Sequence, residues 1–443
     1  MNYETIKSAV LTLLVLISLA FTWGIWNYQP SYENIADGEN SNIVNEVKIG
    51  QQREISDLLK PSRIIAHQDG SHYGTISEKE LDWVMKEMEE WTFLDPENIS
   101  SSLNEKEFSQ LLSDDQHVEL FFSSSVPFNT LKMLVTFRDE KVPNAVFDRI
   151  VITEAEQKNK AFVYFVSVKE RLVFRSQIQT RSLKEFKQRY VEDHDQLEPY
   201  LSYQVPNGAL LYIRKQPPVL TVQSYYLNKI IDADTFKRAL FNDPSYVQRS
   251  SSSASDEYIT DGTSFMRINV TTAAVKYVNP SVVTETMPLD KLIDKSVNFV
   301  NEHNGWVDSY RLFQADPGSS KISYRLFLDD FPVFSPQEGI AELSQIWGRE
   351  RIYQYERSSF IIGQPIIDST GTVKLKDGQA ALDQVLQMEN IDPTQLTDMR
   401  IGYEMALDQK SPVIAMEPFW YYQSNGKWYK LAKNEGGQVD GLE

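Results

Sequence analysis

AVLTLLVLISLAFTWGIW, residues 9–26, contains no charged side chain. A helix of this length rises ~27 Å at ~1.5 Å per residue, against a bilayer hydrocarbon core of ~30 Å. The stretch predicts a transmembrane helix over residues 9–27, and every later reading depends on it. A cleaved signal peptide would need a basic leader, an apolar run of ~7–15 residues and a small-residue cleavage site. Here the leader carries only Lys7 against Glu4, and the triplet Ser18-Leu19-Ala20 lies inside the apolar run. Phe21, Trp23, Trp26 and Tyr28 follow directly, as aromatic residues do at a membrane–water boundary. The stretch therefore reads as an uncleaved anchor in the lipid bilayer.

Orientation follows from the flanks. Lys7 precedes the helix, and the next basic residue is Lys48, beyond Glu33, Asp37, Glu39 and Glu46. The positive-inside rule then puts residues 1–8 in the cytoplasm and everything after the helix outside the cell membrane. That cytoplasmic stub is too short for a catalytic domain. Any effect on the cell interior must pass through this helix or through a partner's. Ala20 and Gly24 form a small-xxx-small pair that lets a second helix approach closely, and Ser18 and Thr22 offer hydroxyls one turn apart. Ser18, Ala20, Thr22 and Gly24 are the candidate contacts to a partner helix.

The chain has 443 residues and a formal net charge of −18, and Glu4 and Lys7 cancel, so the acidity lies beyond the helix. Such a surface repels the phosphates of nucleic acid and the headgroups of anionic lipid. There are no cysteines, which removes disulfides, thiolate metal sites and cysteine nucleophiles together. With 41% hydrophobic and 24% charged residues the remainder is globular and long enough to bury several cores.

Residues 28–45 are polar, with Pro30 and Gly38, and read as a linker. Residues 46–195 read as an α+β domain. Helix-like spacing over 46–59 stops at Lys60-Pro61, and a strand is expected over 62–67. Capping boxes at Ser77/Glu80 and Asn104/Glu107 start two helices. Strand-like runs follow at 118–122, 131–137, 148–152, 161–168 and 172–177, before a helix from Ser182 to about residue 193. A middle domain, 196–315, opens with a hairpin around Asn207-Gly208, where both residues tolerate positive φ. A C-terminal domain over 316–433 and a polar tail over 434–443 complete the chain.

Across this second half a helix followed by two strands recurs: 234–241 with 264–270 and 273–278, 289–302 with 306–313 and 321–328, and 379–388 with 398–407 and 413–422. A helix at 340–346 and a paired strand over 350–362 are expected between the second and third units. The pattern predicts repeated α-β-β units rather than one large sheet. The expected fold class is α+β: one N-terminal transmembrane helix and a multi-domain extracytoplasmic part of helices on antiparallel sheets. The serine run 250–255 reads as a flexible loop, with no GxSxG or SxxK context for a nucleophile.

No side-chain pattern announces a reaction. The five histidines, His67, His72, His117, His194 and His303, show no HExxH or paired ligand spacing. His67 and His72 flank a Gly-containing stretch and read as a solvated loop rather than metal ligands. Glu192-Asp193-His194-Asp195 reads as a helix end grading into a polar loop. The adjacent carboxylates Asp114-Asp115 and Asp329-Asp330 would point to opposite faces of a strand and make no acid–base pair by themselves. No catalytic residue, metal ligand or cofactor is assigned. A carboxylate pair assembled by the fold, acting on wall polymer, is the rival enzymatic reading.

The densest unusual feature is Met416-Glu-Pro-Phe-Trp-Tyr-Tyr422 with Trp428-Tyr429. Phe419, Trp420, Tyr421 and Tyr422 are consecutive, so on a single-layer strand some rings face outward. These four and Trp428 are therefore either core or a candidate ectodomain interface.

Residues 11–33, LTLLVLISLAFTWGIWNYQPSYE, resemble the N-terminus of YycH proteins. FKRALF (236–241), DGTSFMRIN (261–269), SYRLFLDDFPVF (323–334) and the ending over 419–431 are similar to the same family. These features spread over essentially the whole chain, and none is a catalytic motif. The resemblance implies a non-enzymatic regulator of a WalK-type (YycG) sensor histidine kinase, with one transmembrane helix implicated in kinase contact. It also implies a YycI-like partner and a C-terminal domain of YycI-like fold.

Overall fold

The computed structural model describes residues 7, 11–19, 21, 49–154, 161–180, 182–192, 196–206, 208–253, 256–366, 371–407 and 412–432. The chain divides into two compact units, Met1–Glu46 and Val47–Glu443. In the first, residues 11–19 are helical and their side chains are exposed, Leu11, Leu14 and Leu19 by 57–65%. Among the described residues no helix is long and apolar enough to cross a membrane. Of the expected partner-helix contacts, Ser18 sits in this helical stretch, while Ala20, Thr22 and Gly24 lie outside the described residues.

The second unit is α+β. Among its described residues a ten-stranded sheet is made of β1 (Arg63–Gln68), β2 (Ser71–Thr75), β3 (Thr92–Asn98), β4 (His117–Pro127), β5 (Thr136–Phe137), β6 (Val146–Glu154), β7 (Ala161–Ser167), β8 (Leu172–Gln179), β9 (Glu198–Gln204) and β10 (Leu210–Arg214). Their spatial order is β10-β9-β2-β1-β4-β6-β7-β8-β3-β5, antiparallel except for β3 with β5. Side chains alternate across each strand. Ile64 and Ala66 of β1 and Val118 and Leu120 of β4 face the main core, with Leu81, Val84 and Met88 of α1 (Glu78–Glu89). The opposite face carries Leu112 of α2 (Glu105–Ser113) against Val151, Val166 and Val173. Asn104 caps α2 as expected: its Oδ1 accepts from the Glu107 N–H at 3.0 Å and Glu107 accepts from the Asn104 N–H at 2.8 Å. At α1 the expected box does not form. Ser77 makes no side-chain cap bond, and the Glu80 carboxylate accepts instead from Arg189 at 2.6 and 2.8 Å.

A fourteen-stranded antiparallel-rich sheet and a two-stranded one, Leu220–Thr221 with Thr372–Val373, form the rest, among the described residues. Three helices accompany the larger sheet, α3 (Ala233–Leu240), α4 (Leu289–Glu302) and α5 (Gly378–Leu386). Each is followed by an antiparallel pair: Phe265–Asn269 with Ala274–Val278, Tyr310–Asp316 with Lys321–Leu328, and Leu396–Leu407 with Val413–Ser424. The helix-strand-strand order is therefore present in the second and third groups; in the first, two further strands, Gln248–Ser253 and Asp256–Thr260, stand between α3 and the expected pair. The separation into units is not present, because Ile352–Ser358, Glu342–Trp347 and Phe331–Phe334 bridge the three pairs into one hydrogen-bonded path.

Other local expectations are corrected by tertiary partners. The hairpin at Gly208 (φ +91) belongs to the first sheet, where β9 pairs with β2, so the sheets do not change over at residue 196. Residues 342–347 form a strand, not a helix: Leu343 and Trp347 have helix-like spacing, but hydrogen-bonded neighbours on both sides decide. The expected strand over 131–137 is mostly the end of a short helix, Phe128–Leu131, and a turn, with β5 as its last two residues. Of the serine run, residues 250–253 belong to strand Gln248–Ser253, paired with Asp256–Thr260, and residues 254 and 255 lie outside the described residues.

Polar ties join the two sheets. Arg63 of β1 donates to Asp398 Oδ1 at 2.8 Å, and Arg400 holds the other oxygen of the same carboxylate. The register of β4 shifts between Phe121 and Val126, and there Ser124 Oγ accepts from the Ala315 N–H at 3.0 Å. Asp330, in the tight turn after Leu328, accepts from the Glu78 N–H at 2.7 Å and so caps α1 from the other sheet. The start of the unit is held across, too: the Gly50 and Gln51 N–H groups donate to the Asn304 and Trp306 carbonyls at 2.5 and 2.9 Å.

Candidate functional site

The aromatic run, left by the sequence as either core or interface, is inside the protein. Phe419, Trp420, Tyr421, Tyr422 and Trp428 are all buried, with exposures of 0–9%. Strand Val413–Ser424 is covered on both faces, so all five residues are core rather than outward-facing. Trp420 and Tyr422 join the main core, with Trp420 Nε1 donating to the Lys376 carbonyl at 2.9 Å. Phe419, Tyr421 and Trp428 pack with Phe313, Phe327 and Phe334 in a second cluster, where the Phe334 and Tyr421 rings stack at 3.9 Å. These residues present no outward aromatic surface.

The residues with unusual chemistry lie elsewhere, on the outer face of the first sheet. The turn at Asp69 (φ 50) and Gly70 (φ 70) folds β1 back on β2 and sets His67 opposite His72. On its other edge β1 pairs with β4, where His67 stands opposite His117. Glu119 is two residues further along β4, on the same face. His67 is thus no loop residue: it is 1% exposed, His117 2% and Glu119 0%. The His67 and His117 rings stack with centroids 4.2 Å apart. His117 Nε2 is hydrogen-bonded to Glu119 Oε1 at 3.3 Å, and His67 Nε2 approaches the same oxygen to 3.2 Å. Arg149 of β6 donates to Glu119 Oε2 at 3.3 Å. On the outer side His67 Nδ1 meets His72 Nδ1 at 2.8 Å. Tyr212 of β10 covers both rings, with centroids 5.0 Å from each, and its hydroxyl donates to the Leu112 carbonyl at 3.1 Å.

This packing sets the charge states. Burial, with lesser contributions from the charges of His117 and Arg149, lowers the pKa of His67. Burial and His67 push half-buried His72 down to about 4. Both rings are therefore neutral at pH 7. Burial alone would raise Glu119, but His117, His67 and Arg149 outweigh it and hold the carboxyl well below the usual carboxylate range. The result is a buried carboxylate facing imidazole nitrogens. One ligand atom from each of His67, His117 and Glu119 lies within 4.8 Å of the other two, and among the described residues these are the groups able to hold a metal. Sequence spacing could not join His67 to His117, fifty positions further along the chain; the one local signal was His117-x-Glu119, which on a strand shares a face.

The adjacent aspartates serve as structural acceptors. Asp329 takes a hydrogen bond from Gln223 at 2.7 Å, Asp330 caps α1, and Asp115 accepts from the Gly70 N–H at 2.8 Å beside the histidines. Asp329 and Asp330 also line a cleft of about 450 Å³ between the sheets, with Thr75, Glu198, Arg214 and Tyr403. Of the Glu192–Asp195 segment, residues 193–195 lie outside the described residues.

Comparison with known proteins places this architecture. The family described as YycH protein, C-terminal domain, matches residues 209–436, and that described as YycH protein, N-terminal domain, matches residues 4–194. The chain belongs to the YycH family. A YycH relative from Bacillus subtilis (strain 168), described as the two-component system WalR/WalK regulatory protein YycH, is 23% identical over 446 residues, covering 98% of this chain and 97% of the relative. The crystal structure of YycH from Bacillus subtilis matches with a TM-score of 0.72 at 19% identity, over 88% of this chain and 100% of that one. At that identity the likeness shows the YycH fold.

Proposed function

We propose that the chain is a membrane-anchored, non-enzymatic regulator of a WalK-type sensor histidine kinase, acting with a YycI-like partner. Membership of the YycH family carries this reading, through a relative described as a WalR/WalK regulatory protein. The uncharged stretch over residues 9–26 supports an anchor, and its described helical part exposes its apolar side chains rather than burying them in a core. In this reading residues 1–8 are cytoplasmic, the large unit is outside the cell, and Ser18, Ala20, Thr22 and Gly24 pack on the kinase's or the partner's helix. Ectodomain contacts add to that packing. A kinase poised between two states needs about 1.4 kcal/mol of differential binding for a tenfold shift. A few helix contacts at about 0.6 kcal/mol each, with a modest ectodomain interface, supply it.

The test uses the full-length protein in cells. Gly24→Leu and Ser18→Leu should reduce regulation of a kinase-dependent reporter severalfold while the protein remains in the membrane fraction at normal abundance. Unchanged reporter output for both would remove this face of the helix from the mechanism.

A further inference from the structure

The His67, His117 and Glu119 cluster is built like a metal site, a role outside the regulatory reading and independent of it. The N···O separations of 3.2 and 3.3 Å from the two imidazoles to Glu119 Oε1 match the edge of a coordination tetrahedron. Bonds of ~2.0–2.1 Å to nitrogen and oxygen give an edge of about 3.3–3.4 Å. The hydrogen bonding is incomplete in the way such a site requires. His67 Nε2 has a carboxylate oxygen at 3.2 Å without hydrogen-bond alignment, and it is a buried nitrogen with no hydrogen-bond partner among the described residues. In the tautomer with its proton on Nδ1, shared with His72, His67 Nε2 presents a lone pair to the anionic oxygen, a contact that a shared cation converts from repulsion to attraction; in the other tautomer Nε2–H faces the carboxylate instead.

The surrounding groups are those that orient metal ligands. A liganding histidine commonly has its second nitrogen held, and a liganding carboxylate its second oxygen, which is the case for His67 and Glu119 while the outer nitrogen of His117 is left without a partner among the described residues. Here His72 Nδ1 holds His67 Nδ1 at 2.8 Å, and Arg149 holds Glu119 Oε2 at 3.3 Å. The site lies beneath half-buried His72 and the β1–β2 turn, whose Gly70 N–H is bonded to the exposed Asp115 carboxylate. An ion would enter past that negative rim. Two imidazoles and one carboxylate suit a divalent transition metal of the zinc class and leave a fourth position open. We infer that His67, His117 and Glu119 bind one such ion, pinning β1 to β4.

Full-length protein in detergent micelles, stripped with a chelator and returned to metal-free buffer, is titrated with zinc chloride alone. One equivalent per chain should bind and raise the thermal midpoint. Glu119→Gln and His117→Gln should each weaken binding by about tenfold or more, as removal of even an outer-shell partner typically does. His303→Gln, a buried histidine outside the cluster, should leave binding unchanged. A natively folded chain that binds no zinc would overturn the inference in favour of a proton-only hydrogen-bond network. Binding that survives both cluster substitutions would overturn it in favour of zinc held elsewhere. Should the variants not fold, cobalt(II) added to the unmutated protein decides: an intense visible band of four-coordinate cobalt supports the site, and the weak spectrum of the hexaaquo ion refutes it.

Discussion

Asp398 ties the two sheets at a single carboxylate. It is buried and accepts from both Arg63 and Arg400. Burial would raise its pKa, but the two guanidiniums outweigh that and hold it well below the usual carboxylate range. Asp398→Asn leaves two buried cations without their anion and should cost about 3–5 kcal/mol, read as a lowered urea midpoint. His303 makes a different contribution. Burial, then the charge of Arg357, push it down from 6.5 to about 3. The unfolded chain therefore binds a proton that the folded chain refuses, and stability falls as pH drops from 6.5 towards 3. Asp308 works in the opposite sense: burial pushes it up from 3.8 to about 6, so its contribution is lost as pH rises through that window. Only the difference between variants isolates His303. The melting temperature of His303→Gln should gain on that of the unmutated protein as pH is lowered from 6.5 to 4. A constant difference across that range would show that His303 does not titrate in folding.

Elements with strong local signals were legible in the sequence. The box at Asn104, the alternation in β6, β7 and β8, and Asn425-Gly426 (φ 51 and 75) between Val413–Ser424 and Lys427–Lys430 all stand where their residues predict. Elements decided by distant neighbours were not. Glu342–Trp347 has helical spacing and becomes a strand because two strands flank it, and Glu80 leaves its cap for Arg189. The histidine cluster was hidden for the same reason: it exists through cross-strand register, which appears only when β2, β1 and β4 lie side by side. Register also sets the entry to the large unit. A Cβ on Gly50 would stand 2.2 Å from the Trp306 carbonyl oxygen, a backbone atom with no room to move. Gly50→Ala should cost about 1–3 kcal/mol and raise hydrogen exchange at residues 49–53 and 301–306. Unaltered exchange there would show that the clamp tolerates the extra methyl.

Across the chain, composition and most element types were readable while connectivity was not. The α+β character follows from period and capping. The joining of three helix-strand-strand groups into one sheet, and of that sheet to the first through Asp398, Ser124 and Asp330, depends on contacts between residues far apart in sequence. Val47–Glu443 is one compact unit, and its start is hydrogen-bonded to residues 303–306. Regulation in this account needs that unit tethered to the helix over residues 9–27. The direct measurement is kinase-dependent reporter output in cells lacking the protein and supplied either with the full chain or with residues 47–443 exported without the helix, at matched levels. Restoration by the full chain and failure of the released unit is the predicted result. Full restoration by the released unit would contradict it.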